Sequence, residues 1–238
     1  MTPFLGYEDS TLKEFDAILM AVNPEENAVL LDRSAFYPGG GGQPCDFGVL
    51  AIEGRTLPIT KVKKINDEIW HWVEGNLPPV GTVIHGVLNW ERRYQLMRTH
   101  TAMHVLCGTI WRDYQAYVTG GNMEPLRARM DFEFETMHAD LVRVIEENAN
   151  KEIAASRAVS ARFYPREEAF KIPDLIRTKI NLLPDTIQQV RVVEIAGLDI
   201  QADGGTHVAN THDIGKIRVV DYKSKGRINK RIEVEIGD

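Results

Sequence analysis

The feature that most restricts the fold is a change of pattern at residue 90. Before it, apolar runs are short and interrupted by Asn, Gly and Pro, as at Ala28–Leu31, Gly48–Ile52 and 81–84, while residues 69–73 alternate in strand fashion. After it, Trp90–Tyr114 runs without proline and with one glycine, Gly108, and Leu96, Thr99, Met103, Leu106 and Ile110 recur at helical spacings. A long helix therefore follows a β-rich unit. Turn signals about every ten residues make that unit a small barrel or sandwich.

Further on, residues 127–135 alternate as a strand, and 140–157 form an amphipathic helix with Leu141, Val144, Ile145 and Ile153 on one side. Residues 158–163 and Gln189–Ile195 read as strands, 165–170 as a short helix, and 217–222 with 227–236 as a hairpin. The expected class is α+β. Residues 1–89 form an N-terminal small β-barrel carrying a glycine-rich motif, and residues 90–238 a domain whose mostly antiparallel sheet is backed by two long helices.

Composition removes whole classes. The two cysteines, Cys45 and Cys107, show no paired spacing, which excludes a disulfide framework and fits a reducing compartment. No secretory leader pattern is seen at the N-terminus, and no apolar run approaches the ~18–20 residues of a spanning helix. A cytoplasmic protein is expected. The net charge of −6 speaks against a chain that coats nucleic acid over its whole surface. Yet Lys216, Arg218, Lys223, Lys225, Arg227, Lys230 and Arg231 concentrate positive charge near the C-terminus. Charge alone leaves phosphate contact and a solvated hairpin equally open.

Three motifs carry chemistry. In RTHTAMH at 98–104, His100 and His104 stand four apart on the helix, so both rings leave one face at the spacing with which two imidazoles share a metal ion. A buried, hydrogen-bonded pair is the other reading. Cys107 lies about 10 Å along the axis from His100, too far to close the same site, and reads as core. In DIQADGGTHV at 199–208, Asp203 and His207 bracket a Gly-Gly turn that lets both fold toward one point. With the helical pair they make three nitrogens and one carboxylate, a legitimate zinc set. The alternative is an Asx-type loop with a surface histidine. In FYPGGGGQPC at 36–45, four glycines between strands let backbone amides approach a ligand, but no GK[ST] ending or helix follows, so this is not a nucleotide P-loop.

Together FYPGGGGQPCDFG, RTHTAMH, DGGTHVANTHDIG and KSKGRINKRIEVEIG resemble, in order and over nearly the whole chain, the editing half of alanyl-tRNA synthetases and its free-standing relatives, the AlaX-type editing proteins of the medium-length class. The resemblance implies a trans-editing deacylase that hydrolyses serine, and also glycine, from alanine tRNA, with one zinc ion per chain held by His100, His104, residue 203 and His207. Asp203 stands where the family usually has cysteine; a carboxylate is a harder donor and moves preference toward other divalent ions. Such an enzyme supplies discrimination that a synthetase pocket lacks, because small differences in bulk are worth only ~1–3 kcal/mol. The metal would polarise the ester or activate a water, or grip the substrate's amino group; no side-chain base is assigned. Gln43, Thr99, Thr101, Met103 and Thr119 (or Gly120) are expected around the substrate. Arg98, Lys216, Lys223, Lys225, Arg227, Lys230 and Arg231 are expected at the RNA. The rivals are a non-catalytic tRNA-binding factor whose metal site decayed and a zinc hydrolase of another ester.

Overall fold

Alternation of inward apolar and outward polar side chains closes the N-terminal strands into a barrel. The computed structural model, which describes residues 1–178 and 183–238, has six strands there: β1 (Glu14–Asn23), β2 (Ala28–Leu31), β3 (Gly48–Ile52), β4 (Arg55–Ile65), β5 (Glu68–Val73) and β6 (Val83–Leu88). They pair antiparallel in the order β1-β2-β5-β4-β3-β6, and β6 returns to β1. The interior holds Phe15, Leu19, Leu31, Phe36, Leu50, Leu57 and Ile84, among others. In β5 it is Ile69, His71 and Val73 that point inward, while Trp70 and Trp72 lie half-buried on the outer face. Fully enclosed, His71 sets its Nε2 2.8 Å from Ser34 Oγ, and burial lowers its pKa to about 4, so it is neutral.

The glycine motif is a loop closed at its base by charge. The amide of Tyr37 donates to Asp46 Oδ2 at 2.6 Å, and the amide of Asp46 donates to the Tyr37 carbonyl at 3.0 Å. Arg93, wholly buried, forks onto the Asp46 carboxylate and donates to the Ala35 carbonyl at 2.6 Å. At the tip, Gly40 and Gln43 exchange amide-to-carbonyl hydrogen bonds of 3.0 and 2.9 Å across Gly41 and Gly42. Those two glycines have φ of 58° and 90°, so this is a two-residue hairpin turn that demands glycine.

The remainder comprises α1 (Trp90–Tyr114), β7 (Val118–Glu124), β8 (Arg127–Glu133), α2 (Ala139–Ala154), β9 (Val159–Pro165), α3 (Arg166–Ala169), β10 (Gln189–Ile195), β11 (Asp199–Ala202), β12 (Lys216–Ser224) and β13 (Asn229–Gly237). Asn89 caps α1 by accepting the Arg92 amide at 3.1 Å. Two compact units result, Met1–Gln95 and Leu96–Asp238, divided inside α1, beyond the change of pattern at 89/90.

The α+β class holds, but the one sheet expected of the second half is two: a four-stranded sheet β12-β13-β8-β7 and a three-stranded sheet β11-β10-β9. The strands that the sequence pattern does not reveal are β11, only four residues long, and β7, which contains Gly120 and Gly121. From Thr99 to Ile110, α1 is buried on every side, not along one stripe, because it touches both sheets. Thr99 Oγ1 accepts the Leu126 amide at 2.8 Å beside the larger sheet, and Gly108 abuts Leu198 and Asp199 at the smaller. In α2 the buried face is Val142, Ile145, Ala149 and Ile153; Val144, expected there, is exposed, and Leu141 is half-buried. Positions 142, 145, 149 and 153 share a helical stripe that 144 does not.

Candidate metal centre

The site is built by two elements that each supply a pair four residues apart. On α1, His100 and His104 project from one face, with ring centroids 5.2 Å apart. The other pair follows β11. Along that strand Asp199 and Gln201 alternate onto one face, and Asp203, two residues further, continues the same side. Asp203 then turns the chain: its Oδ1 accepts the Gly205 amide at 2.6 Å, and Arg191 Nη1 donates to the carbonyls of Asp203 and Gly205 at 3.1 and 2.9 Å. The turn delivers His207, whose ring stacks 4.4 Å from that of His100.

Three imidazoles thus converge on one carboxylate. The Nε2 atoms of His207, His100 and His104 lie 3.1, 3.4 and 4.0 Å from the Asp203 carboxylate oxygens. One donor atom from each of the four residues falls within 4.8 Å of all the others. Bonds of about 2.0–2.2 Å to one tetrahedral ion would set such donors about 3.3 Å apart, so a small contraction closes the set.

Hydrogen bonding fixes which ring nitrogens face inward. The Thr101 hydroxyl donates to the Met97 carbonyl at 2.8 Å, which leaves its oxygen only to accept. His207 Nδ1 lies 3.3 Å from that oxygen, so Nδ1 carries the proton and Nε2 presents its lone pair to the centre. His104 Nδ1 lies 2.9 Å from Asp199 Oδ2. Burial would raise the Asp203 pKa, but His100 foremost and then the other two histidines hold it well below the usual carboxylate range. Burial and the charge of His100 push His207 well down. Burial also works to lower His104, yet Asp199 and Asp203 outweigh it and raise it to about 9. The group is chemically fit for a divalent ion: buried, donor-rich, and with two of its rings held from behind.

The other expected residues fall in several places. Thr99 and Thr101 are fully buried with their hydroxyls engaged as described. Met103 is buried with its methyl against Gly121, where a side chain would reach within 3.2 Å of it. Thr119 is exposed on β7, Gly120 beside it is half-buried near Asp131, and Gln43 is buried in the glycine loop of the other unit. Cys107 is buried core, as expected, and burial raises its thiol pKa. Sequence reading missed Asp199. Its signal was the four-residue interval to Asp203 on an extended strand, which puts both carboxylates on one side.

Much of the basic concentration is internally neutralised. Arg231 grips Asp131 at 2.7 and 2.8 Å, Lys223 sits between Asp221 and Glu233 at 3.1 and 2.9 Å, and Arg218 pairs with Glu235 at 2.6 Å. Arg98 donates to the Ile214 and Gly237 carbonyls and to Asp238. Lys230 is buried, and its Nζ donates to the Gly226 and Arg227 carbonyls at 2.9 and 2.8 Å. Register explains it: Lys230 pairs with Phe132 on the core face of the sheet. Lys216, Lys225 and Arg227 are exposed and enter no ion pair among the described residues.

Two families match. That described as "Threonyl and Alanyl tRNA synthetase second additional domain" covers residues 190–233, and "tRNA synthetases class II (A)" covers residues 4–92. The second match lies over the barrel, and the first runs from β10 into the basic hairpin. Among curated proteins, the alanyl-tRNA editing protein AlaX-M of Saccharolobus solfataricus is 40% identical over 235 residues, 98% of either chain. That of Methanosarcina barkeri is 36% identical over 244 residues, the whole of both chains. The alanine–tRNA ligase of Pyrococcus furiosus is 38% identical over 223 residues, 92% of this chain but 24% of the ligase. The chain belongs to the AlaX-M family of alanyl-tRNA editing proteins.

Proposed function

We propose that this chain is a free-standing editing enzyme that hydrolyses the ester joining serine, and also glycine, to alanine tRNA, using one zinc ion. The observation that carries the reading is the buried convergence of His100, His104, Asp203 and His207 in a chain alignable end to end with proteins named for alanyl-tRNA editing. Three imidazoles and a carboxylate suit zinc among the common divalent ions. When bound, such an ion supplies Lewis acidity beside an ester carbonyl or a water. The chain's own part is to hold it: the three Nε2 atoms and Asp203 face inward, and Thr101 keeps the His207 ring from turning. Thr119 and Gly120 on β7, with Met103, are our candidates for contact with the aminoacyl group. Lys216, Lys225 and Arg227 are our candidates for phosphate contact, and the cytoplasm is the proposed site of action.

The test is metal content together with deacylation of serine-charged and alanine-charged tRNA, before and after chelation. We expect about one zinc per chain, hydrolysis of the serine ester in preference to the alanine ester, and loss on chelation that zinc restores. Binding of tRNA without hydrolysis would mark a carrier. Hydrolysis indifferent to the tRNA would mark an esterase of another substrate. Full activity after complete metal removal would sink the catalytic role of the ion.

A further inference from the structure

Asp199 takes no part in the four-residue donor group, yet it is 4% exposed and aimed at it. Its Oδ2 lies 2.9 Å from His104 Nδ1 and accepts the Gln201 side-chain amide at 2.7 Å. A carboxylate only accepts, so the shared proton resides on Nδ1, and Nε2, the atom that faces Asp203, is the ring nitrogen left for an ion. The second carboxylate oxygen, Oδ1, lies 3.7 Å from Nε of Arg177, a buried guanidinium stacked 4.6 Å from the Trp111 ring centroid. An arginine brought into the interior beside a carboxylate balances a charge that would otherwise oppose burial.

The sole glycine of α1 belongs to the same arrangement. Gly108 is one turn beyond His104, and a Cβ there would lie 2.8 Å from Asp199 Cβ and 3.0 Å from the Leu198 carbonyl oxygen. Any side chain at 108 would force the start of β11 away from the helix and so lift Asp199 from His104. The absence of a side chain, the strand alternation and the buried arginine all serve one contact.

We propose that Asp199 is a positioning residue for the metal centre: it holds the His104 imidazole in the one tautomer and orientation in which Nε2 can bind the ion. The proposal rests on reading the four-residue group as a metal site. Asp199 acts through His104 and touches neither the ion nor the substrate. Carboxylates in this relation to a ligating histidine typically govern metal affinity by about 10–100-fold.

The test compares the full-length wild type, Asp199→Ala and Asp199→Asn by zinc affinity in chelator competition and by the visible absorption of the cobalt-loaded proteins, with circular dichroism and melting as controls for folding. We expect Asp199→Ala to bind zinc about 10–100-fold more weakly with an altered cobalt spectrum. Asp199→Asn, which retains an acceptor but not the charge, should fall between it and wild type. Equal affinities and identical spectra in all three folded proteins would overturn the positioning role while leaving the metal site standing. A wild type that binds neither ion would overturn the metal reading itself. Failure of both variants to fold would assign Asp199 to the stability of its unit and equally reject the proposal.

Discussion

Asp203 and Gly205 are joined by a 2.6 Å hydrogen bond from the Gly205 amide to Asp203 Oδ1, the same oxygen that lies 3.1 Å from His207 Nε2. The Asx-type turn and the metal-type donor group, two alternatives for this loop in the sequence, are one object. An aspartate at 203 both shapes the turn and faces the histidines.

Replacing Asp203 by cysteine separates those roles. Thiolate is the softer donor, so Asp203→Cys should tighten zinc about tenfold or more relative to manganese or magnesium. The same change deprives the Gly205 amide of its partner, which should cost about 1 kcal/mol of stability. Competition titrations with the three ions, alongside melting curves, check both. Unchanged ion preference would mean that residue 203 does not bind the ion.

A second expectation concerns acid. His71 is neutral in the folded barrel, with a pKa near 4 against 6.5 for an ordinary histidine. Between those values the unfolded chain takes up a proton that the folded chain refuses. Stability from this residue is therefore full above pH 6.5 and is lost as pH falls toward 4, by about 3 kcal/mol in all. Melting from pH 7.5 to 4.5 should show a steeper decline in wild type than in His71→Gln. Parallel curves would remove His71 as the cause.

The base of the glycine loop offers a third. Arg93 and Asp46 are both essentially unexposed. Removing one leaves the other buried and unpaired, so Asp46→Ala should destabilise the chain by about 3–5 kcal/mol. Joint replacement, Arg93→Met with Asp46→Leu, should recover much of that loss. Denaturant titration of the single and double variants measures it; a double variant as unstable as the single one would contradict the ion-pair account.

For RNA, the hairpin divides its cations by register. Lys225→Ala with Arg227→Ala should weaken tRNA binding and flatten its salt dependence by about one to two counterions. Lys230→Ala should instead lower the melting temperature, since its ammonium group holds the turn carbonyls. If Lys230→Ala alone changed the salt slope, the assignment of phosphate contacts would need to be reversed.

The barrel strands, the long helix and the convergence of His100, His104, Asp203 and His207 were legible because each rests on local pattern: punctuation, periodicity of three and four, and motif spacing. What could not be read depends on pairing between distant segments. Lys230 looked like part of a solvated or RNA-facing stripe, and only its pairing with Phe132 turns it inward. The alternation at 69–73 marks a strand but not its inward side, which barrel closure gives to His71 rather than to Trp70 and Trp72. Asp199 was hidden for the same reason: its neighbour in space, His104, is on another element. The split of one expected sheet into two is likewise a matter of pairing, since β10 takes β9 and β11 as its neighbours while β8 takes β13 and β7.

The pairs at 100/104 and 203/207 are far apart along the chain, and an ion gripped by both would tie them like a removable stitch. It would close a loop of roughly a hundred residues, a constraint worth about 5 kcal/mol by chain entropy. Metal supply would then set the lifetime of the molecule as well as its activity. A chain made during scarcity would be a looser one, and proteases would reach it first.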